Sequence, residues 1–195
     1  MPSVTALRAC GPGRVAVELD GAPWRVVPVD VVVRAGLAEG RVLDRPALRL
    51  LRHELRRAEA LRAATRALRA RDLSSRRLSE RLARADVAPQ AAAETLEMLA
   101  RAGLVDDGRV AANRAQSLAE RGYGDAAIRH RLEAEGLPPE AVEQALSGLA
   151  AEAERAARIV ERRGTGARTA RYVRARGFGE EAVEAALGAV FGHEP

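Results

Sequence analysis

Lysine is missing from this chain: every one of its 32 Lys/Arg positions is arginine. Alanine and glycine are abundant beside it, as GC-rich coding produces, so an arginine here is not by itself a sign that a planar fork of donors was selected. A single cysteine, Cys10, excludes an intrachain disulfide and any Cys-x-x-Cys site. Aromatics make up only 3% of the residues, so a core must be built from aliphatic side chains. No apolar run approaches the roughly 18 residues of a membrane span, and no basic start followed by an apolar stretch marks a signal peptide. The expectation is a cytoplasmic protein with no membrane association.

Catalytic groupings are equally scarce. His53, His130 and His193 are isolated, and none sits beside Cys10 or another histidine. GxxxxGK[ST], GxSxG and HExxH are all absent. Asp106-Asp107 has no third ligand near it in sequence and reads as a helix start, with Asp107 as the cap. The chain is therefore expected not to be an enzyme and to need no cofactor and no metal.

What is present is helix-forming and basic. Hydrophobic residues are 47% of the 195, and Ala, Leu and Arg favour helix. The net charge is +5, unevenly spread. Residues 49–84 hold twelve arginines against four acids, the stretch before them is close to neutral, and the chain from 85 onward is net acidic. Such a concentration suits an anionic partner, whether phosphate or acidic side chains. Arg52, Arg56, Arg66 and Arg69 recur at helical spacing, and Arg76, Arg77, Arg81 and Arg84 continue the basic run. A solvated helix face in an arginine-biased protein accounts for the same pattern, and the residues alone leave both readings open. Near the C-terminus Arg171, Tyr172 and Arg174 form a second candidate contact, with Tyr172 expected to face outward and Phe178 and Tyr123 expected in the core.

The first 43 residues differ from the rest. Val15–Leu19 alternates, Asp20-Gly21 is a hairpin turn, and Trp24–Pro28 resumes a strand. Trp24 is expected to anchor this hairpin, and Asp30 to cap a short helix closed by Gly36. From Asp44, a candidate N-cap with Pro46 in the first turn, helix takes over.

The remainder repeats itself. Leu78-Ser-Glu-Arg-Leu82 aligns with Ile128-Arg-His-Arg-Leu132 at an offset of 50, an offset kept by Pro89/Pro139 and Leu99/Leu149. At an offset of 41, Gly136-Leu137 meets Gly177-Phe178 and Glu140-Ala-Val-Glu143 meets Glu181-Ala-Val-Glu184. Each copy reads as three helices, broken by caps at Ser74 or Ser75, Asp107 and Asp125, and by Gly103, Gly122, Gly136, Gly164 and Gly177 at left-handed C-cap positions. The predicted fold is mainly α: a tandem repeat of three three-helix bundles, elongated, with a small N-terminal β-hairpin. The expected divisions are 1–43 for the extension, then 44–104, 105–150 and 151–195 for the repeats. The last helix of a unit, such as Val142–Leu149, is poor in Arg, Asn and Gln at its start, which argues against sequence-specific major-groove reading.

The ordered set resembles the RecX family. It is carried by Ala67-Leu68, Ser74-Ser75 and Leu78-Ser-Glu-Arg-Leu82, by Gly103-Leu-Val-Asp106-Asp107-Gly-Arg109-Val110-Ala111, by Gly122-Tyr-Gly124 with Gly136-Leu137, and by Tyr172-Val-Arg-Ala-Arg176-Gly177-Phe178. The chain departs from the family pattern in having Arg71-Asp-Leu-Ser-Ser75 before the first middle helix, and Val110 where an aromatic is common. The resemblance implies a monomeric regulator that binds the RecA recombinase filament and its DNA, single- or double-stranded. Such a regulator inhibits strand exchange and filament growth, with a place in homologous recombination, DNA repair and the SOS response.

Overall fold

The computed structural model describes residues 1–191, with side chains through Gly188; His193 lies outside the described residues. Three strands precede ten helices among them. The strands β1 (Val4–Ala9), β2 (Arg14–Leu19) and β3 (Ala22–Pro28) form one antiparallel sheet in that order. The expected hairpin is β2–β3, turning at Asp20 and Gly21, both at positive φ. The additional strand, β1, lies along the other side of β2, and Asp20 ties it down by accepting from the Ser3 backbone N–H and hydroxyl. Those donors hold the Asp20 carboxyl below its ordinary pKa.

Trp24 does not anchor the sheet. Pairing sets Val27 opposite Val15 and Arg25 opposite Val17, so the strand's alternation turns Trp24 to the opposite face, where it is 41% exposed. Val4, Val17 and Val27 are the anchors. They are buried with Val31 of α1 (Val29–Arg34) and with Leu43 and Leu51. Each such aliphatic side chain contributes about 1.5–3 kcal/mol on full burial. Helix α1 begins at Pro28 without a side-chain cap, and Asp30 sits inside its first turn rather than before it.

Helix α2 (Arg45–Ala70) starts where Asp44 accepts from the Ala47 N–H, as its sequence leads one to expect. Its buried residues do not keep to one stripe. Ala47 and Leu51 join the core under the sheet, whereas Ala60, Ala64 and Ala67 are buried on a different side. At 100° per residue, the second set is turned by more than a quarter of the helix circumference from the first. The helices α3 (Ser75–Arg84) and α4 (Pro89–Arg101) follow, burying Leu78, Leu82 and Leu99.

Next come α5 (Asp107–Glu120), α6 (Asp125–Ala134) and α7 (Pro139–Ser147), sharing a core of Val110, Ile128, Leu132, Val142 and Leu146. Then α8 (Glu152–Arg163), α9 (Ala167–Ala175) and α10 (Glu180–Phe191) close around Ile159, Val160, Val173, Phe178 and Val183. The expected C-cap glycines at 103, 122, 136, 164 and 177 all have positive φ. Two caps are shifted by one residue: Asp106, not Asp107, accepts from Arg109 N–H, and Gly124, not Asp125, is the N-cap of α6.

The chain forms two compact units. One comprises Met1–Arg71 with Leu78–Arg101; the other takes Asp72–Arg77 and the described chain from Ala102 onward. The second unit contains the same joint twice. At the first, the Ser75 N–H donates to the Asp107 carboxylate (2.8 Å), the Ser74 hydroxyl to the Glu135 carbonyl (3.0 Å), and Arg77 to the Ala134 carbonyl (2.9 Å). At the second, the Asp125 N–H donates to the Glu152 carboxylate (2.6 Å), and the Gly124 N–H to the Arg176 carbonyl (2.9 Å). In both, an acid in the first turn of the next repeat caps the start of a middle helix, which meets the glycine-ended turn of the following middle helix. The displaced caps are explained here: Asp107 is engaged with Ser75, and the Asp125 carboxylate with Arg155.

Candidate nucleic-acid and partner interface

The arginines of α2 separate into two clefts of the first unit. Arg52 and Arg56, joined by Arg49 and His53, border a cleft of about 320 Å³ beside Gln90 and Ala91 at the start of α4. Arg66 and Arg69, joined by Arg62, border one of about 380 Å³ floored by Ala58 and Leu61, with Pro28 and Asp30 opposite. The cause is helical geometry: ten residues from Arg56 to Arg66 leave their directions roughly 80° apart. Among the described residues no carboxylate is within ion-pairing distance of these seven residues except His53, which lies 3.6 Å from Glu94 and 3.9 Å from Glu54. Arg57 faces away from both clefts, held by Glu54 (3.4 Å) and the Met98 sulfur (3.8 Å). Guanidinium groups of one sign gathered along a concave surface attract anions more strongly than the same groups spread over a flat one.

The other candidates are dispersed. Arg76 and Arg77 are in the first turn of α3, within the second unit. The Arg76 stem lies on Gly136, its Cδ 2.6 Å from where a Cβ would stand, and Arg77 serves the Ala134 carbonyl. These two arginines hold a joint together. Arg81 and Arg84 are exposed on α3, Arg84 lying 3.9 Å from Glu80. In α9, Arg171 is exposed, while Arg174 is paired with Glu180 at 2.5 Å. Tyr172 does not face outward. It is half-buried, with the Arg163 guanidinium 4.0 Å above its ring.

Tyr172 belongs to a stack that sequence reading missed. Arg131 and Arg176 each lie 4.1 Å from the Tyr123 ring centre, Arg176 also lies 5.5 Å from Tyr172, and Arg163 follows. Cations and rings thus alternate Arg131, Tyr123, Arg176, Tyr172, Arg163 across α5 to α9. Tyr123, expected in the core, is half-buried as its filling; Phe178 is buried as expected. The only advance signal was that both tyrosines sit within a few residues of a C-cap glycine and an arginine.

Beneath the stack, Arg155 is 7% exposed and donates to the Ala150 and Tyr123 carbonyls and to the Asp125 carboxylate. Glu152 accepts from the Asp125 N–H through one oxygen and from the Gly179 N–H through the other, binding the starts of α6 and α10 together. Gly122-Tyr-Gly124 and Gly177-Phe178 are therefore pieces of a joint and not ligand-binding motifs in themselves.

Residues 106–146 match the model of the second three-helix domain of RecX. The fold is similar to that of a crystal structure described as regulatory protein RecX, with a TM-score of 0.79 and 20% identity, covering 94% of this chain and 98% of that one. The sequence match supports the RecX family over residues 106–146. A structure of RecX from Lactobacillus salivarius is also similar, with a TM-score of 0.63 and 14% identity over 70% of this chain and 97% of its own. At those identities the two structures speak for the fold. No curated protein matches in sequence. The RecX-matched segment begins at Asp106, the α5 cap, and ends at Leu146 in α7, so it covers one helix triplet with its own core. Among the described residues no helix is long and apolar enough to cross a membrane.

Proposed function

We propose that this chain regulates the RecA recombinase. It binds the recombinase–DNA filament and restrains ATP hydrolysis, filament growth and strand exchange, acting in the cytoplasm as a monomer and without catalytic chemistry of its own. The observation that carries this reading is the match of 106–146 to a RecX domain inside a chain that follows the fold of a RecX structure over 94% of its length. The clefts along α2 support it: their arginines have no carboxylate partner among the described residues, so docking on phosphate or acidic side chains breaks no internal ion pair. The mechanism is differential affinity. A protein that binds the arrested filament better than the growing one shifts the balance by the ratio of the two affinities.

Purified chain added to RecA strand-exchange and ATPase reactions should lower both rates as filament sites fill. Unchanged rates at saturating protein would overturn the reading.

A second reading, favoured by the same unpaired arginines, is a general nucleic-acid-binding protein with no recombinase partner. It requires tight, salt-dependent binding to DNA alone, together with recombinase rates that do not respond. Replacing Arg52, Arg56, Arg66 and Arg69 by Gln should then flatten the salt dependence.

A further inference from the structure

We propose that the cleft bounded by the end of α5, one face of α8 and Tyr172 of α9 is a second anion-binding track, built for the phosphodiester backbone of a single-stranded nucleic acid and carried by Arg121, Arg158, Arg162 and Arg163. It lies wholly in the second unit, outside the arginine-rich helix. Two contiguous depressions make it up. One, of about 310 Å³, is lined by Arg121, Arg162, Arg163 and Tyr172; the other, of about 190 Å³, by Arg158 and Arg162. Both share Arg162 and Ile159.

Three features prepare these cations for phosphate. None of the four has a carboxylate within ion-pairing distance among the described residues; Glu120, the one acid lining both depressions, accepts from the Gln116 amide at 2.9 Å, so the lining sets four guanidinium groups against one carboxylate. Arg158 and Arg162 each donate Nε to the carbonyl one turn back on α8, Arg158 to Glu154 and Arg162 to Arg158. That steadies the side chain and leaves both terminal nitrogens, the pair that grips a phosphate, without a protein acceptor. The Arg163 guanidinium lies 4.0 Å from the Tyr172 ring centre, a cation–ring contact that reduces its rotamer freedom before any ligand arrives. The carbonyl ends of α5 and α8 favour cations nearby, but supply only about half a charge each.

The shape selects the ligand. Arg158 and Arg162 are one helical turn apart, about 6 Å along α8, so consecutive phosphates of an extended strand meet consecutive guanidinium groups. Ile159 is 6% exposed and the Tyr172 ring is covered by Arg163, which leaves the half-buried Leu149 as the one large apolar side chain of the lining open to a ligand; four guanidinium groups set against it favour a polyanion over a peptide. Depressions of about 310 and 190 Å³ have room for the backbone of one strand and not for a duplex.

The test uses the full chain and a fluorescein-labelled oligo(dT) of about 20 nucleotides, with affinity read by anisotropy across a salt series. The double variant Arg158→Gln/Arg162→Gln should bind about tenfold more weakly, with a log–log salt slope lower by about 1.4 for two lost phosphates. Arg158→Lys/Arg162→Lys should retain most of the slope. Arg14→Gln/Arg34→Gln, which removes the same charge from the first unit, serves as the control. The proposal is overturned if the Gln pair, melting as the parent does, binds with unchanged affinity and slope, or loses no more than the control. No recombinase is present, so the outcome is independent of the RecA reading.

Discussion

Gly124 meets Gly177 with no room for a side chain between them. A Cβ on Gly124 would run into the Gly177 carbonyl and the Phe178 nitrogen, and one on Gly177 would stand 2.5 Å from the Ala127 Cβ. The contact is closed by the Gly124 N–H on the Arg176 carbonyl and the Ala126 N–H on the Gly177 carbonyl. Backbone on backbone leaves nothing flexible to give way. Gly124→Ala should therefore destabilise the second unit by about 2 kcal/mol or more in denaturant titration, near the upper part of the range for overpacking. Gly108→Ala is the contrast. Gly108 is helical, and its Cβ would meet only the Asp106 carboxylate at an ordinary 3.4 Å. That change should be neutral or stabilise by up to about 1 kcal/mol.

Arg155 is expected to be irreplaceable by lysine. Its guanidinium serves two carbonyls and the Asp125 carboxylate at once, a geometry that needs a planar fork. Arg155→Met leaves those acceptors without their donor and should cost about 3 kcal/mol, with Arg155→Lys recovering only a minor part. Thermal or denaturant unfolding of the three proteins checks the order.

Thr95 offers a gain. Its hydroxyl is buried in α4 with no hydrogen-bond partner among the described residues. Thr95→Val keeps the branched shape and removes the unsatisfied group, so unfolding should require about 1 kcal/mol more. A loss of stability would mean that the hydroxyl is satisfied in solution.

Acid should weaken the α6–α7 pair. Arg129 grips Glu143 through both carboxylate oxygens, at 2.7 and 3.0 Å, and this holds the Glu143 carboxyl below its ordinary pKa. A depressed folded pKa means the contribution is complete above the unfolded value and is lost as pH falls through and below it. The transition midpoint of the parent should therefore drop faster than that of Glu143→Gln below about pH 4.5. Parallel curves would show that the pair is too exposed to matter.

Local chemistry was enough to read most of the secondary structure. Gly122, Gly136, Gly164 and Gly177 end their helices because only glycine takes positive φ freely, and periodic Leu, Ile and Val mark the buried side of each. The repeat offsets likewise anticipated that Gly136 and Gly177 hold equivalent places. The first strand escaped notice because Val4–Ala9 has little alternation of its own and becomes a strand by pairing with β2. The candidate site was legible only as charge. Spacing put Arg52, Arg56, Arg66 and Arg69 on one helix, but not on one face of the protein.

The sequence by itself determined where helices start and stop, that the middle helices recur, and that the positive charge gathers between residues 49 and 84. These depend on backbone preferences and on neighbours within a turn or two. Tertiary structure alone decided that Trp24 points outward, that α2 buries two different stripes, and that Arg76 and Arg77 serve a joint. It also decided that Tyr123 and Tyr172 are threaded between arginines from α6, α8 and α9. Periodicity says which residues share a side of one element; which other element covers that side depends on packing between parts of the chain distant in sequence.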